Sequence, residues 1–279
     1  MKIIEQIAEL RVQVAGWQKD QQTIALVPTM GNLHSGHLAL VEKARQLADQ
    51  VVVSIFVNPL QFGPQEDFAT YPRTESSDAT QLRQLEVATL FLPKVSEMYP
   101  SDSLARVTVP ILSEQLCGKS RPGHFEGVAT VVTKLFHLVQ PQFAIFGQKD
   151  FQQLTIIRQM VNDLNFPLEI IGLPTIRESD GLAMSSRNQY LSPEQRAIAP
   201  QIYQTLSRLK SQISMGGTDY NSLCHQAQQQ LESRGFIVDY ITVRTQNTLA
   251  LPTLNDHNLV ILVAAFLGKT RLIDNVMVT

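Results

Sequence analysis

Apolar and polar positions change their spacing at short intervals along this chain, and the changes outline alternating helices and strands. Residues 3–18 place Ile4, Ile7, Ala8, Leu10 and Val14 on one side of a helical period, which predicts an amphipathic helix. Ile24–Val27 is a short apolar, β-rich run. It breaks at Pro28 and Gly31, and an amphipathic segment follows from Leu38 to Leu47, so a strand, a tight turn and a helix are expected in succession. Val51–Val57 is almost unbroken apolar sequence, the pattern of a parallel strand covered on both faces. Ser76 or Ser77 can start a helix that reaches Leu85, and Ala88–Leu92 and Arg106–Val109 read as further strands. Val128–Val139 reads as a helix, Phe143–Phe146 as a strand and Phe151–Leu164 as the helix it enters. Leu168–Ile171 and Pro174–Arg177 continue the alternation. The fold class expected is α/β: a Rossmann-like parallel sheet with helices on both faces and right-handed crossovers.

After Arg177 the composition changes. Glu178–Asn188 is polar and turn-forming, as a hinge would be, between a domain of residues 1–177 and a smaller one of residues 178–279. Pro193 opens a predicted helix to about Ile213, and Tyr220 a second to about Arg234. Three apolar segments follow, Ile237–Val243, Leu259–Leu267 and Thr270–Val278, so the C-terminal domain is expected to be α+β.

Composition narrows the function. The 279 residues suffice for one large or two modest cores. Net charge is −2 with both signs interspersed, which argues against a long nucleic-acid footprint. Any phosphate site must therefore be local. Cys117 and Cys224 lack the companions of a zinc site or a disulfide framework, and no protein metal site is assigned. The opening Met1–Leu10 reads as an amphipathic helix with acidic residues, not a signal peptide. The longest apolar run, Leu259–Leu267, is too short to span a bilayer. The expected location is the cytoplasm, with no membrane partner.

Candidate chemistry starts in the stretch Ile24–His37. A strand, a P-T-M-G turn and a helix start form the element that binds phosphate through backbone N–H groups. His34 and His37 stand at i and i+3, on one face of the first helical turn, and Gly36 between them clears room against the backbone. Two histidines at a helix start can also simply cap it. Ligands of open parallel sheets bind at the strands' carboxyl ends. Further polar groups are expected there or at the hinge: Asn58 with Gln61, Lys149-Asp150 with Gln152 and Gln153, and Ser185-Ser186-Arg187. Each has a plainer reading. Gln61 and Gln153 can be surface amides, Lys149-Asp150 a solvated pair, and Ser185–Arg187 a turn. Lysine just before a helix start is the more informative of its pair, because the helix dipole disfavours it there.

Together these pieces resemble the pantothenate synthetase (pantoate–β-alanine ligase) family of the H-x-G-H nucleotidyltransferases. The matching motifs are Val27-Pro-Thr-Met-Gly-Asn-Leu-His-Ser-Gly-His37, Phe56-Val-Asn-Pro-Leu-Gln-Phe62, Tyr71-Pro-Arg-Thr74 and Arg121-Pro-Gly-His-Phe125. Phe146-Gly-Gln-Lys-Asp-Phe-Gln-Gln153, Asp180-Gly-Leu-Ala-Met-Ser-Ser-Arg-Asn188, Leu262–Gly268 and Arg271-Leu-Ile-Asp-Asn275 extend the match over nearly the whole chain. Departures are Leu60, where methionine is common, and Gln148, where glutamate is common.

The resemblance implies a two-step ligation. Pantoate attacks the α-phosphate of Mg-ATP, giving pantoyl adenylate and pyrophosphate, and β-alanine then displaces AMP. It implies an ATP site at Met30, Gly31, Asn32, Leu33, His34, Ser35, Gly36 and His37, at Gly147, Gln148, Lys149 and Asp150, and at Ile176, Met184, Ser185, Ser186 and Arg187. Pantoate falls to Gln61 and Gln153, with Gln61 also near β-alanine. His37 takes the proton-donor role beside His34, while Lys149 and Arg187 supply positive charge from opposite domains. Amides suit pantoate because they read its oxygens without neutralising the attacking carboxylate. A homodimer is also implied. The alternatives are another nucleotidyltransferase of the same fold, which would need a basic acceptor pocket at Asn58 and Gln61, and a non-catalytic ATP-binding module. A tRNA ligase would need a basic face or an anticodon-binding extension.

Overall fold

The computed structural model describes residues 1–64 and 66–278, which divide into two compact units. The first unit comprises residues 1–148 and 156–174, and the second residues 149–155 and 175–279.

The first unit runs β1 (Lys2–Ile4), α1 (Ile7–Lys19), β2 (Ile24–Thr29), α2 (Ser35–Leu47), β3 (Gln50–Ile55), α3 (Glu75–Gln84) and β4 (Thr89–Phe91). Two short helices, α4 (Val95–Met98) and α5 (Cys117–Ser120), lead to α6 (His124–Val139) and β5 (Phe143–Gly147). Helix α7 (Phe151–Asp163) and β6 (Glu169–Leu173) complete the sheet's connections. The six strands are parallel in the order β1-β4-β3-β2-β5-β6. From β2 the chain proceeds to β3 on one side, while β5 lies on the other. The order therefore reverses at the β2/β5 boundary, the place where open parallel sheets leave a crevice.

Alternation along the strands sorts the core. Ala25, Val27, Val51, Val53 and Leu90 face α2 and α3, where Val41, Ala44 and Leu82 are fully buried. Ile24, Leu26, Val52 and Phe91 are equally buried on the opposite side. Both faces are thus covered, which explains why β2 and β3 read as continuous apolar runs. Each large aliphatic side chain so buried contributes about 1.5–3 kcal/mol over exposure.

Three sequence expectations need correction here. Residues 3–18 are not one helix: Lys2–Ile4 pairs with Thr89–Phe91, and the helix begins at Ile7. Its buried residues are Leu10, Val14 and Trp17, while Ala8 is exposed. An available sheet edge outweighs helical spacing for the β-branched Ile3-Ile4 pair. Arg106–Val109 joins no ladder among the described residues; the Val107 N–H donates instead to Thr130 Oγ1 at 2.9 Å. Pro174–Arg177 leaves the sheet, since proline has no N–H for a ladder, and Arg177 makes an isolated antiparallel bridge to Ala183.

The second unit carries α8 (Pro193–Ile198), α9 (Gln201–Ser214), α10 (Tyr220–Glu232), β7 (Phe236–Thr245), β8 (Leu259–Leu267) and β9 (Thr270–Val278). The helix expected from Pro193 to Ile213 is two helices, interrupted around Pro200. The strands form an antiparallel sheet in the order β7-β8-β9. Ile261, Val263 and Ala265 pack from β8 into a core with Ile202, Leu206 and Leu209 of α9 and Leu231 of α10. This is the α+β arrangement expected. The unit begins at Thr175 rather than at 178 and takes in Lys149–Thr155, so Lys149 belongs with Arg187 rather than to the opposite unit.

Candidate active site

In the first unit the site is built on the loop between β2 and α2. Gly31 and Asn32 have φ of +81° and +51°, the left-handed conformation that reverses the chain after the strand. A side chain on Gly31 would also meet Ile55 at 3.0 Å. The loop is held from behind by Asp78, which is buried. Its Oδ2 accepts the Asn32 N–H and its Oδ1 the Leu33 N–H, both at 2.9 Å, and Thr74 Oγ1 donates to both oxygens at 3.1 Å.

The loop delivers His34 as the N-cap of α2. Its Nδ1 accepts the Gly36 N–H at 3.1 Å, and His37 Nδ1 in turn accepts the His34 N–H at 3.4 Å. The two rings lie 4.1 Å apart. The capping and catalytic readings of this pair are therefore compatible. Because both Nδ1 atoms accept, each neutral ring carries its proton on Nε2, so both imidazoles are Nε2–H donors at a helix N-terminus.

After β3, Asn58 caps a short turn, Pro59–Gln61. Gln61 is buried rather than a surface amide, and its Nε2 lies 2.9 Å from Met30 Sδ, which brings it to the β2–α2 loop. Asn58 Nδ2 donates to Gln61 Oε1 at 3.1 Å and to the Gly127 carbonyl at 2.9 Å, while Tyr99 Oη donates to Asn58 Oδ1 at 3.0 Å. That chain engages the Gln61 amide oxygen, while its NH₂ is turned to Met30 Sδ. Helix α6 approaches closely here, since a Cβ on Gly127 would stand 2.3 Å from the Leu60 carbonyl oxygen. Burial pushes the Tyr99 hydroxyl up from its ordinary value and keeps it a donor.

Beneath the same turn, Arg121 donates through Nε and Nη2 to Glu66 at 2.6 and 2.7 Å, and His124 Nδ1 lies 2.8 Å from the Gln61 carbonyl oxygen. Burial alone would raise Glu66, but Arg121 outweighs it and holds the carboxyl below its usual range. Gly147 ends β5, beside β2. Gln148 is half-buried and donates from Nε2 to the Gly172 carbonyl at 3.3 Å, a bond the family's usual glutamate could not make as a carboxylate.

In the second unit, Lys149 and Arg187 are half-buried, Asp150 is exposed, and Gln153 is half-buried on the first turn of α7. Met184 N–H donates to the Ile176 carbonyl at 3.0 Å, and Ser185 Oγ accepts the Arg187 N–H at 3.3 Å. The Ile176–Arg187 segment is thus hydrogen-bonded within itself. Asp78, Thr74 and Tyr99 were not singled out by sequence reasoning for any role. The T-x-x-x-D spacing of Thr74 and Asp78 was the available signal, and it resembles ordinary helix capping.

The match to the family model described as pantoate-β-alanine ligase covers residues 2–277. The chain belongs to this family. It is 56% identical over its whole length to pantothenate synthetase of Pseudomonas savastanoi pv. phaseolicola, covering 99% of that protein. It is 57% identical to that of Pseudomonas fluorescens strain Pf0-1, with 99% of this chain and 97% of the other covered. Among solved structures, pantothenate synthetase from Thermus thermophilus aligns with a TM-score of 0.93 at 45% identity, covering 99% of each chain. Pantoate-β-alanine ligase from Francisella tularensis, complexed with β,γ-ATP and β-alanine, aligns at 0.84 and 37% identity, with 99% and 97% covered. Ligase chemistry, an α/β catalytic fold and ATP use follow from membership.

Proposed function

We propose that this pantoate–β-alanine ligase activates pantoate as an acyl adenylate before β-alanine reacts. A pantoate carboxylate oxygen bonds to the α-phosphorus of ATP and the bond to pyrophosphate breaks. The β-alanine amine then attacks the acyl carbon and AMP leaves. The observation that carries this reading is the capped start of α2, where His34 and His37 hold two Nε2–H donors at the carboxyl end of β2, next to β5. An α-phosphate under attack gathers negative charge. Fixed N–H donors and a helix N-terminus stabilise it without reorganisation. His37 is assigned as proton donor to phosphate oxygen, beside His34. Met30–His37 and Gly147–Asp150 are assigned to ATP, with Ile176 and Met184–Arg187. Lys149 and Arg187 are the fixed cations for the departing pyrophosphate.

Pantoate is assigned to Gln61 and Gln153, with β-alanine beside Gln61. The NH₂ of Gln61, beside Met30 Sδ, is a neutral donor suited to a hydroxyl or carboxylate oxygen, and it leaves the nucleophile its charge. A phosphate-ester acceptor, the alternative within this fold, would call for a free cation there. Arg121 is instead engaged by both oxygens of Glu66.

Magnesium enters with the ATP substrate. Among the described residues no three His, Cys, Asp or Glu side chains gather as a metal site, and triphosphate oxygens with water meet magnesium's octahedral preference. We assign a cytoplasmic location and a homodimer on family resemblance; no helix among the described residues is long and apolar enough to cross a membrane. Sedimentation at equilibrium tests the dimer.

Replacement of Gln61 tests the pantoate assignment. Gln61→Ala should raise the pantoate KM by roughly two- to tenfold, as loss of one hydrogen bond worth about 0.5–1.5 kcal/mol implies. ATP affinity by calorimetry should stay near the parent value. Equal losses for the two ligands would place the pantoate pocket elsewhere.

A further inference from the structure

The Arg271–Asn275 motif near the end of the chain has no part in the chemistry assigned above, yet its last two residues are buried at the centre of a polar network. Asp274 and Asn275 lie on β9, 4% and 5% exposed. The Asp274 carboxylate receives a two-pronged contact from Arg177, Nη1 to Oδ2 at 2.6 Å and Nη2 to Oδ1 at 2.9 Å. It also accepts the Asn275 N–H at 2.7 Å. Arg177 goes on to donate to the carbonyls of Gly181 at 3.0 Å and Asn275 at 3.2 Å, and its guanidinium stacks 3.7 Å from the Tyr203 ring centroid. Gly181, at φ +94°, leaves no room for a side chain, because a Cβ would stand 2.6 Å from Tyr203.

Two arms leave this network. Through Arg177, which bridges Ala183, it holds the base of the segment carrying Met184–Arg187. Through Asn275, whose Nδ2 donates to the Lys149 carbonyl at 2.9 Å, it holds the backbone of Lys149. Burial pushes the Asp274 carboxyl up from its ordinary value, against the opposing pull of Arg177. A buried carboxylate with a bidentate arginine is costly to desolvate and adds little net stability over an apolar core. Its geometric definition is another matter: fork-to-fork contacts fix direction as well as distance.

We infer that Asp274, Asn275 and Arg177 are positioning residues for adenylate formation, setting the backbone from which Lys149 and Arg187 reach the phosphates. This rests on the assignment of Lys149 to catalysis. Positioning errors near 1 Å cost up to about a hundredfold in rate, so a side chain that touches no substrate can still govern turnover.

The test is a double-mutant cycle on the full-length protein, read as pantoate-dependent exchange of labelled pyrophosphate into ATP at saturating substrates. Asn275→Leu keeps the approximate shape and removes the donor. It is expected to slow exchange roughly ten- to a hundredfold, with the ATP Kd within about threefold of the parent. In a Lys149→Ala background the same change should cost less than about twofold, because the residue it positions is gone. A purely structural role would give equal losses in both backgrounds, and that result would overturn the inference. If Lys149→Ala alone leaves exchange at the parent rate, the catalytic assignment of Lys149 fails, and the positioning role with it. Asn275→Ser, a milder change, carries the same cycle should the leucine variant not fold.

Discussion

The Asp78 carboxylate and the Asn32 backbone N–H meet at 2.9 Å across 46 residues of sequence. A buried anion on α3 thereby shapes the loop that presents His34 and His37. The next residue is held in the same way, Leu33 N–H to the other oxygen. Two backbone donors that solvent would otherwise satisfy are turned inward, and the loop's outer face is set by what remains.

Asp78→Asn keeps the shape but replaces one acceptor with an NH₂ group facing an N–H donor. One buried donor is then stranded, at a cost of about 1–3 kcal/mol. Urea unfolding should show that loss, and the ATP KM should rise in the same variant at temperatures where it is fully folded. A destabilised variant with an unchanged ATP KM would make Asp78 a core residue and nothing more.

The histidine pair can be separated into cap and chemistry. His34→Asn supplies another good N-cap, so stability should stay within about 0.5 kcal/mol of the parent, whereas His34→Ala should cost about 0.5–2 kcal/mol. Adenylate formation should fall comparably in both, because neither has an Nε2–H donor. Parent-like turnover in the asparagine variant would reduce His34 to a cap.

How far the sequence could be read depended on the range of the interactions. Strand β2, helix α2 and the paired histidines follow from local spacing, and the structure places them as expected. The capping half of the open choice closes with geometry, since both Nδ1 atoms accept backbone N–H groups. Short strands fared worse. Lys2–Ile4 has helical spacing locally, and its strand partner, Thr89–Phe91, is far along the chain. Arg106–Val109 alternates like a strand, but its Val107 N–H goes to a threonine side chain instead of a ladder partner. The supports behind the site were not readable at all. Asp78 looks like an ordinary first-turn acid, and nothing local marks Arg177 and Asp274 as partners 97 residues apart. The expectation that Lys149 and Arg187 come from opposite domains fails for the same reason. Asn275, on the last strand, ties Lys149 to the unit that carries Arg187.

The Glu66–Arg121 pair under the Gln61 turn predicts a pH signature. Arg121 holds the folded Glu66 carboxyl below its unfolded value, despite the opposing effect of burial. The sign follows from linkage: the unfolded state takes up the proton first as pH falls. The pair's contribution should be fully present above about pH 5 and disappear as pH drops through the folded value. Urea unfolding of parent and Glu66→Gln across about pH 3–7 reads this directly. The stability gap should be constant at the upper end and shrink below about pH 4.5. A gap that widens on acidification would contradict the assignment.

Pantoate-dependent isotope exchange tests the central claim most directly. With ATP, Mg²⁺ and pantoate present and β-alanine absent, labelled pyrophosphate should pass into ATP, because adenylate formation needs only the first substrates and is reversible. Omitting pantoate should abolish the exchange. Exchange that appears only once β-alanine is added would contradict a separate pantoyl adenylate and require the three substrates to react together.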